Sequence, residues 1–190
     1  NFYWQSDGLT GRNTTDEEDG GEPYNRARFV DSTTQLGGPI LRDKLWFFGS
    51  YRNVGNANIV ANSFYPHGRL GLYDQDVQNY TLRFTWQAAQ RLKMTSYIDR
   101  VFKHVAHAFS SGEEIVNASK LWPTPLYYTG QVKMTSTLTE RLLLEGGFGA
   151  SVNDISMIYQ PGIRKARGTP EWYATASRQD ITLSTRTVAG

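Results

Sequence analysis

The chain has no cysteine among its 190 residues. That removes disulfide frameworks, thiolate nucleophiles and cysteine-ligated zinc. It also lacks any run approaching the ~20 apolar residues of a membrane-spanning helix, which excludes a helical membrane protein. Neither sign of charge prevails: Lys+Arg 20 stand against Asp+Glu 18, a net +2. That balance is too even to argue for nucleic acid or an anionic lipid surface. The opening NFYWQSDGLT has neither the basic region nor the apolar core of a signal peptide. Hydrophobic residues are sparse at 39%, yet aromatics reach 13%, with 11 Tyr, 9 Phe and 5 Trp. Rings that join an apolar body to a polar handle suit sheets, interfaces and membrane–water boundaries.

The dominant pattern is an alternation of period two, which assigns the chain to the all-β class. In NYTLRFTWQ, Tyr80, Leu82, Phe84 and Trp86 share one face, with Asn79, Thr81, Arg83, Thr85 and Gln87 on the other. RLKMTSYIDR sets Leu92, Met94 and Ile98 against Lys93, Thr95 and Asp99. YTGQVKMTSTL sets Val132 and Met134 against Gln131 and Lys133, and RLLLEGGFGA sets Leu142, Leu144 and Phe148 against Glu145 and Gly147. The run RFVDSTTQLGG alternates more weakly. No amphipathic helix is evident.

Strands of this kind are predicted over Val77–Gln87, Leu92–Lys103, Leu126–Leu138 and Arg141–Asn153. Each reaches the ~9 to 11 residues that a tilted membrane strand needs, against ~5 to 6 for an ordinary globular strand. Short connections fall at Ile40–Lys44, Ala88–Arg91 and Thr139–Glu140. They alternate with long polar stretches over 53–76, 104–125 and 154–180, which read as loops. Alternating short turns and long loops is the arrangement of outer-membrane β-barrels. The predicted fold is therefore an antiparallel up-and-down meander, about six full strands of a transmembrane β-barrel left open as a fragment. Tyr80, Leu82, Phe84, Trp86, Leu142, Leu144 and Phe148 would face lipid, and Arg83, Asp99, Lys133 and Glu145 the lumen. Trp46 and Trp86, beside short turns, would join an aromatic girdle at the periplasmic end. In RDKLWFFGSYR, Leu45, Phe47 and Tyr51 are assigned outward, because the other face ends on Ser50 and Arg52.

The segment LGGPILRDKLWFFGSYR (Leu36 to Arg52) closely resembles the barrel of TonB-dependent receptors of the Oar-like group. NFYWQSDGLT, YTLRFTWQAAQRLKMTSYIDR and TERLLLEGGFG look like other strands of the same family. The Gly-Gly-Pro-Ile and Asp-Lys-Leu-Trp-Phe-Phe pieces are the specific part. The resemblance implies ligand uptake across an outer membrane, through a barrel of about two dozen strands. It further implies an internal plug, and a TonB complex that engages an N-terminal box. The chain has no room for a plug and shows no such box, so residues 1–190 are expected to be a barrel segment. Asn1–Trp4 would then be the remnant of one strand, and Ile181–Thr187 the start of another. The partners implied are outer-membrane lipid, the plug, the TonB complex and an unidentified ligand, with no nucleic acid and no cofactor. Two alternatives remain open: a plug-less porin or adhesin-like barrel, and a soluble β-sandwich binding carbohydrate through loop aromatics.

Specific sites are few. The acidic run Asp16, Glu17, Glu18, Asp19 offers clustered oxygens for a hard cation such as Ca²⁺ but lacks EF-hand spacing, so a solvated loop is the simpler reading. Asp74 and Asp76 read the same way. His104 and His107 have a three-residue spacing but no third ligand nearby in sequence, and His67 stands alone. Serines lack a nucleophile elbow, and Glu113 and Glu114, adjacent in a loop, have no fixed separation for glycoside chemistry. The expectation is no enzyme. Lys133 and Glu145 are predicted to pair across adjacent strands on the lumen side. Among the loop aromatics, Tyr65, Trp122 and Trp172 are candidates for ligand contact, with Phe64 and Tyr173 beside them; mutual packing is the simpler reading.

Overall fold

The structure, a computed structural model, describes residues 1–9, 26–108, 119–162, 164–174, 178–183 and 185–187. In chain order its strands are β1 (Phe2–Ser6), β2 (Arg26–Leu41), β3 (Leu45–Phe64), β4 (Leu70–Ala89), β5 (Leu92–Ala108), β6 (Lys120–Pro123), β7 (Leu126–Thr139), β8 (Leu142–Asp154) and β9 (Ile158–Tyr159). A short helix, α1 (Pro170–Ala174), and a small ribbon of β10 (Arg178–Asp180) and β11 (Thr185–Thr187) follow. β1 to β9 form a single nine-stranded antiparallel sheet, left open.

The sheet is a meander. β1 through β5 pair in chain order, and β5 then pairs along its lower part with β7 and at its top with β6. β6 and β7 are thus one strand line, interrupted at Pro123-Thr124-Pro125, where proline nitrogens have no hydrogen to donate to the ladder. β8 and β9 repeat this, pairing with β7 and β6 respectively.

The turns follow from local chemistry. Arg42-Asp43-Lys44 closes β2 to β3, with Lys44 N donating to Leu41 O at 3.1 Å and Asp43 at φ 60°. Aspartate tolerates that left-handed conformation better than most residues. β4 to β5 and β7 to β8 turn as tightly at Gln90-Arg91 and Glu140-Arg141.

At the opposite end the expected loop over 53–76 is not a loop. β3 and β4 run on for 20 residues each. They meet in a turn over 65–69, where Gly68 N donates to Tyr65 O at 2.9 Å and Gly68 sits at φ 75°. Pro66 presets the turn and Gly68 supplies the positive φ. β5 likewise continues past Lys103 to Ala108. Ile181–Leu183 is a turn inside the β10–β11 ribbon, and the strand start expected near Ile181–Thr187 is present at Thr185–Thr187, paired with β10 rather than with the main sheet.

Buried side chains gather at one end. Ala57, Val60 and Val105 are the buried hydrophobic residues among those described, joined by Ser63, Ser119 and Thr124. All lie beyond the level of Tyr51 and Tyr80, toward the 65–69 turn. This upper region is termed the crown, and the part between it and the tight turns the band.

Candidate functional site

Directly opposed residues of an antiparallel pair share a face, so the registers assign every side chain of the band. Leu45 opposes Trp86, Phe47 opposes Phe84, Gly49 opposes Leu82 and Tyr51 opposes Tyr80. Across β5 the same face continues through Met94, Ser96 and Ile98, then through Val132 and Gly130, then Leu144, Phe148 and Ala150. The residues assigned to one apolar face thus do share it, including Leu45, Phe47 and Tyr51. Trp46 opposes Thr85 and belongs to the other face, so of these two tryptophans Trp86 alone is on the apolar face beside the tight turns.

Nothing among the described residues covers the apolar face. Leu82 is 48% exposed, Phe84 41%, Trp86 47%, Val132 48% and Phe148 75%. Where Ser96, Gly130 and Ala150 floor it, the face dips into a trough of about 600 Å³ walled by Leu82, Phe84, Val132 and Phe148.

The upper margin of the band carries an aromatic belt that sequence reading missed. Tyr51 and Tyr80 meet with tilted rings, centroids 4.9 Å apart, and Tyr80 meets Phe102 edge-on at 5.8 Å. The Arg100 guanidinium lies 4.2 Å from the Phe102 ring and 4.0 Å from Tyr128, and its Nη2 donates to Pro125 O at 2.7 Å. A cation held between two ring faces away from water is attracted by both quadrupoles. Register was the missing signal: sequence alone does not say which rings of four strands stand level.

The opposite face is polar and internally linked. Arg52 Nε and Nη2 donate to the two Asp31 oxygens at 2.9 and 2.6 Å, a bidentate pair. Asp99 accepts from Asn79 Nδ2 at 2.7 Å and from the Thr81 hydroxyl. Lys133 reaches Glu145 at 2.9 Å, and Thr135 donates to the same carboxylate at 3.2 Å. The predicted Lys133–Glu145 pair is therefore present. Gly147 makes room for it: a Cβ there would lie 2.8 Å from Val132 O and 3.4 Å from Lys133 Cα. Arg83 shares this face, opposite Phe48 and Tyr97.

In the crown, His107 Nδ1 and Asp74 Oδ1 are 2.8 Å apart, and Tyr65 stands edge-on to His107 at 6.0 Å. This fastens the 65–69 turn to the end of β5. Burial pushes the Asp74 carboxyl up, but the hydrogen bond and charge of His107, with backbone hydrogen bonds, outweigh it and leave the pKa below the ordinary value. Burial, with the Asp74 charge behind it, raises the Tyr65 phenol despite Arg69. Gln160 ties the β9 side down, donating to Ala106 O at 2.8 Å and Ser119 Oγ at 3.0 Å.

The three aromatic candidates have separate neighbours. Tyr65 meets His107, Trp122 lies under Lys103 Nζ at 4.5 Å, and Trp172 packs on Tyr173 at 5.0 Å. Asp16, Glu17, Glu18 and Asp19, with Glu113 and Glu114, lie outside the described residues. Among the described residues no group of three or more His, Asp or Glu side chains forms a metal-binding set. His104 opposes Asp76 while His107 meets Asp74, so the two histidines do not converge.

Compared with the known protein families, with curated proteins and with solved structures, the chain matches none.

Proposed function

We propose that this chain is part of the wall of an outer-membrane β-barrel that takes up a ligand from outside the cell. One observation carries the reading: an apolar face, uncovered along the whole band, backs a hydrogen-bonded polar face on the same strands. In water such a face would lose the ~25 cal/mol per Å² that burial provides. Lipid supplies the cover, while the polar face borders a wet lumen. From the turns to the belt, Tyr80–Ala89, Leu92–Phe102 and Tyr128–Leu138 match the ~9 to 11 residues of a tilted membrane strand. The belt then lies at one membrane–water interface and Trp86 at the other.

Backbone groups on the free edges of β1 and β8 cannot stay unpaired in hydrocarbon, so further strands complete the barrel. The finer assignment, a TonB-dependent receptor with a plug inside and a TonB complex beneath, rests on the Leu36–Arg52 motif. In that reading the crown rises outside the cell, where ligand first meets the protein. A β-sandwich would need a second layer over Leu82, Phe84, Leu144 and Phe148, and beyond the main sheet the described residues supply only short elements, chiefly α1 and the β10–β11 ribbon.

Epitope tags inserted at His67 and Gly168 of the intact protein test the orientation, by cell fractionation and protease treatment of whole cells. Both tags should fractionate with the outer membrane and be cleaved from outside, while a tag at Asp43 stays protected until the membrane is opened. Recovery of the tagged protein in a soluble fraction would overturn the proposal.

A further inference from the structure

Every carboxylate on the polar face of the sheet, from the tight turns up to the belt, already has a partner. Arg52 holds Asp31, Asn79 and Thr81 hold Asp99, and Lys133 holds Glu145. Two cations on that face are not so engaged. Arg83 and Lys93 are exposed, and neither has an ion-pair partner among the described residues.

They face a common hollow of about 330 Å³. Register explains why both reach it. Arg83 opposes Tyr97 and Gln87 opposes Lys93, with the Thr85–Thr95 pair between those two rows. Two long cationic side chains therefore stand at opposite ends of a floor of threonine hydroxyls. Tyr97 and Gln131, directly opposed across β5 and β7, close one side. The lining offers a guanidinium fork, an ammonium, hydroxyls and an amide, and no carboxylate. Lys133, opposite Thr95, adds no acid there, because its own Glu145 lies over on β8. Oxyanions are the ligands that such a donor set satisfies: the fork bonds two oxygens at once and the ammonium acts as a point charge.

We propose that this hollow binds a small solute carrying carboxylate or phosphate oxygens, on the wet side of the barrel wall. The site rests on the reading above, in which this face borders water. A cleft lined by one sign of charge between low-dielectric walls focuses the field and concentrates counter-charged solutes.

The test places a single thiol in the hollow, Thr95→Cys, in the intact protein with no other cysteine, reconstituted in phospholipid bilayers. Thr85→Cys takes its place if the first variant does not fold. Rates with anionic sulfonatoethyl and cationic trimethylammonioethyl methanethiosulfonate are each normalised to a free thiol. At low salt the anionic reagent should be favoured by about ten-fold or more. Arg83→Gln with Lys93→Gln should abolish that preference. Citrate or inorganic phosphate should slow the reaction where chloride at matched ionic strength does not. Stronger protection by citrate assigns a carboxylate ligand, and stronger protection by phosphate a phosphorylated one. Equal normalised rates, or no protection beyond that of chloride, overturn the site. Leu82→Cys, on the opposite face, tests the underlying reading separately and should resist both reagents. If it reacts freely, the membrane assignment fails, while the charge preference at Thr95→Cys still reports on the hollow.

Discussion

The band and the crown are built from the same strands and held together by opposite means. In the band no described residue is buried; the backbone ladder and a row of ion pairs hold the polar face, and large apolar side chains stand open on the other. In the crown Val105 and Ser119 are at 0% exposure, Ala57, Val60 and Thr124 are also buried, and Asp74 and His107 fasten the turn. The crown buries side chains on both faces of its strands, whereas the band buries none among the described residues. The difference sets what each region needs: the crown buries part of its own surface, and the band needs a cover that the described residues do not contain.

The largest expected effect contrasts two exposed phenylalanines. Phe84→Arg, in the middle of the band, should cost about 2 to 4 kcal/mol of folding stability in phospholipid vesicles. Phe64→Arg, at the crown turn and 52% exposed, should stay within about 0.5 kcal/mol. Denaturant titrations of both variants in the same vesicles make the comparison; equal costs would erase the distinction between the regions.

Next comes Gly147→Ala. The added methyl meets the Val132 carbonyl oxygen at 2.8 Å, and backbone cannot yield as a flexible side chain can. A loss of about 1 to 3 kcal/mol is expected, with faster amide exchange along β7 and β8 and little change in the crown. Val105→Ala should do the reverse. A loss of about 1 to 2 kcal/mol should loosen protection around Gln75 and Trp122, which oppose Val105, and leave Leu82 and Val132 unaffected.

A smaller effect belongs to Asp74→Asn, about 1 kcal/mol near neutral pH, read from Trp122 fluorescence on unfolding the crown. The Asp74 pKa is depressed in the folded state. Its contribution is therefore complete above the ordinary value of 3.8 and disappears as pH falls through the lower folded value. The asparagine variant should lose that acid dependence. The smallest change is expected for Lys133→Gln, because both partners of this pair are largely exposed and water screens them.

How much was legible follows the same division. In the band one face is apolar and the other polar: Tyr80, Leu82, Phe84 and Trp86 alternate with Asn79, Thr81, Arg83 and Thr85, and period two declares strand and face together. In the adjacent Leu142, Leu143 and Leu144 the face is read from Glu145 and Phe148 beyond them, and the register agrees in setting Leu144 and Phe148 on one face. On the proposed barrel reading neither face meets lipid above the belt, and there RNVGNANIV mixes polar and apolar residues on both sides. The alternation vanishes there while the strand continues, which is why 53–76 read as a loop. Pro66 and Gly68 were the available turn signal within it. The Asp74–His107 contact joins residues 33 apart in sequence and lies beyond any local pattern. The Lys133–Glu145 pair needed only a short turn and two countable strands.

The most direct measurement is the accessibility of single spin labels placed at successive positions from Asn79 to Trp86 in the intact protein in bilayers. Oxygen, which partitions into lipid, should broaden the signal most at Tyr80, Leu82, Phe84 and Trp86. A water-soluble nickel chelate should act most at Asn79, Thr81, Arg83 and Thr85. That period-two exchange, in that phase, is the result the account predicts. Labels at Leu82 and Phe84 that neither reagent reaches would mean a protein layer covers this face, and labels there that answer to nickel would mean water does; either result contradicts a lipid-facing wall.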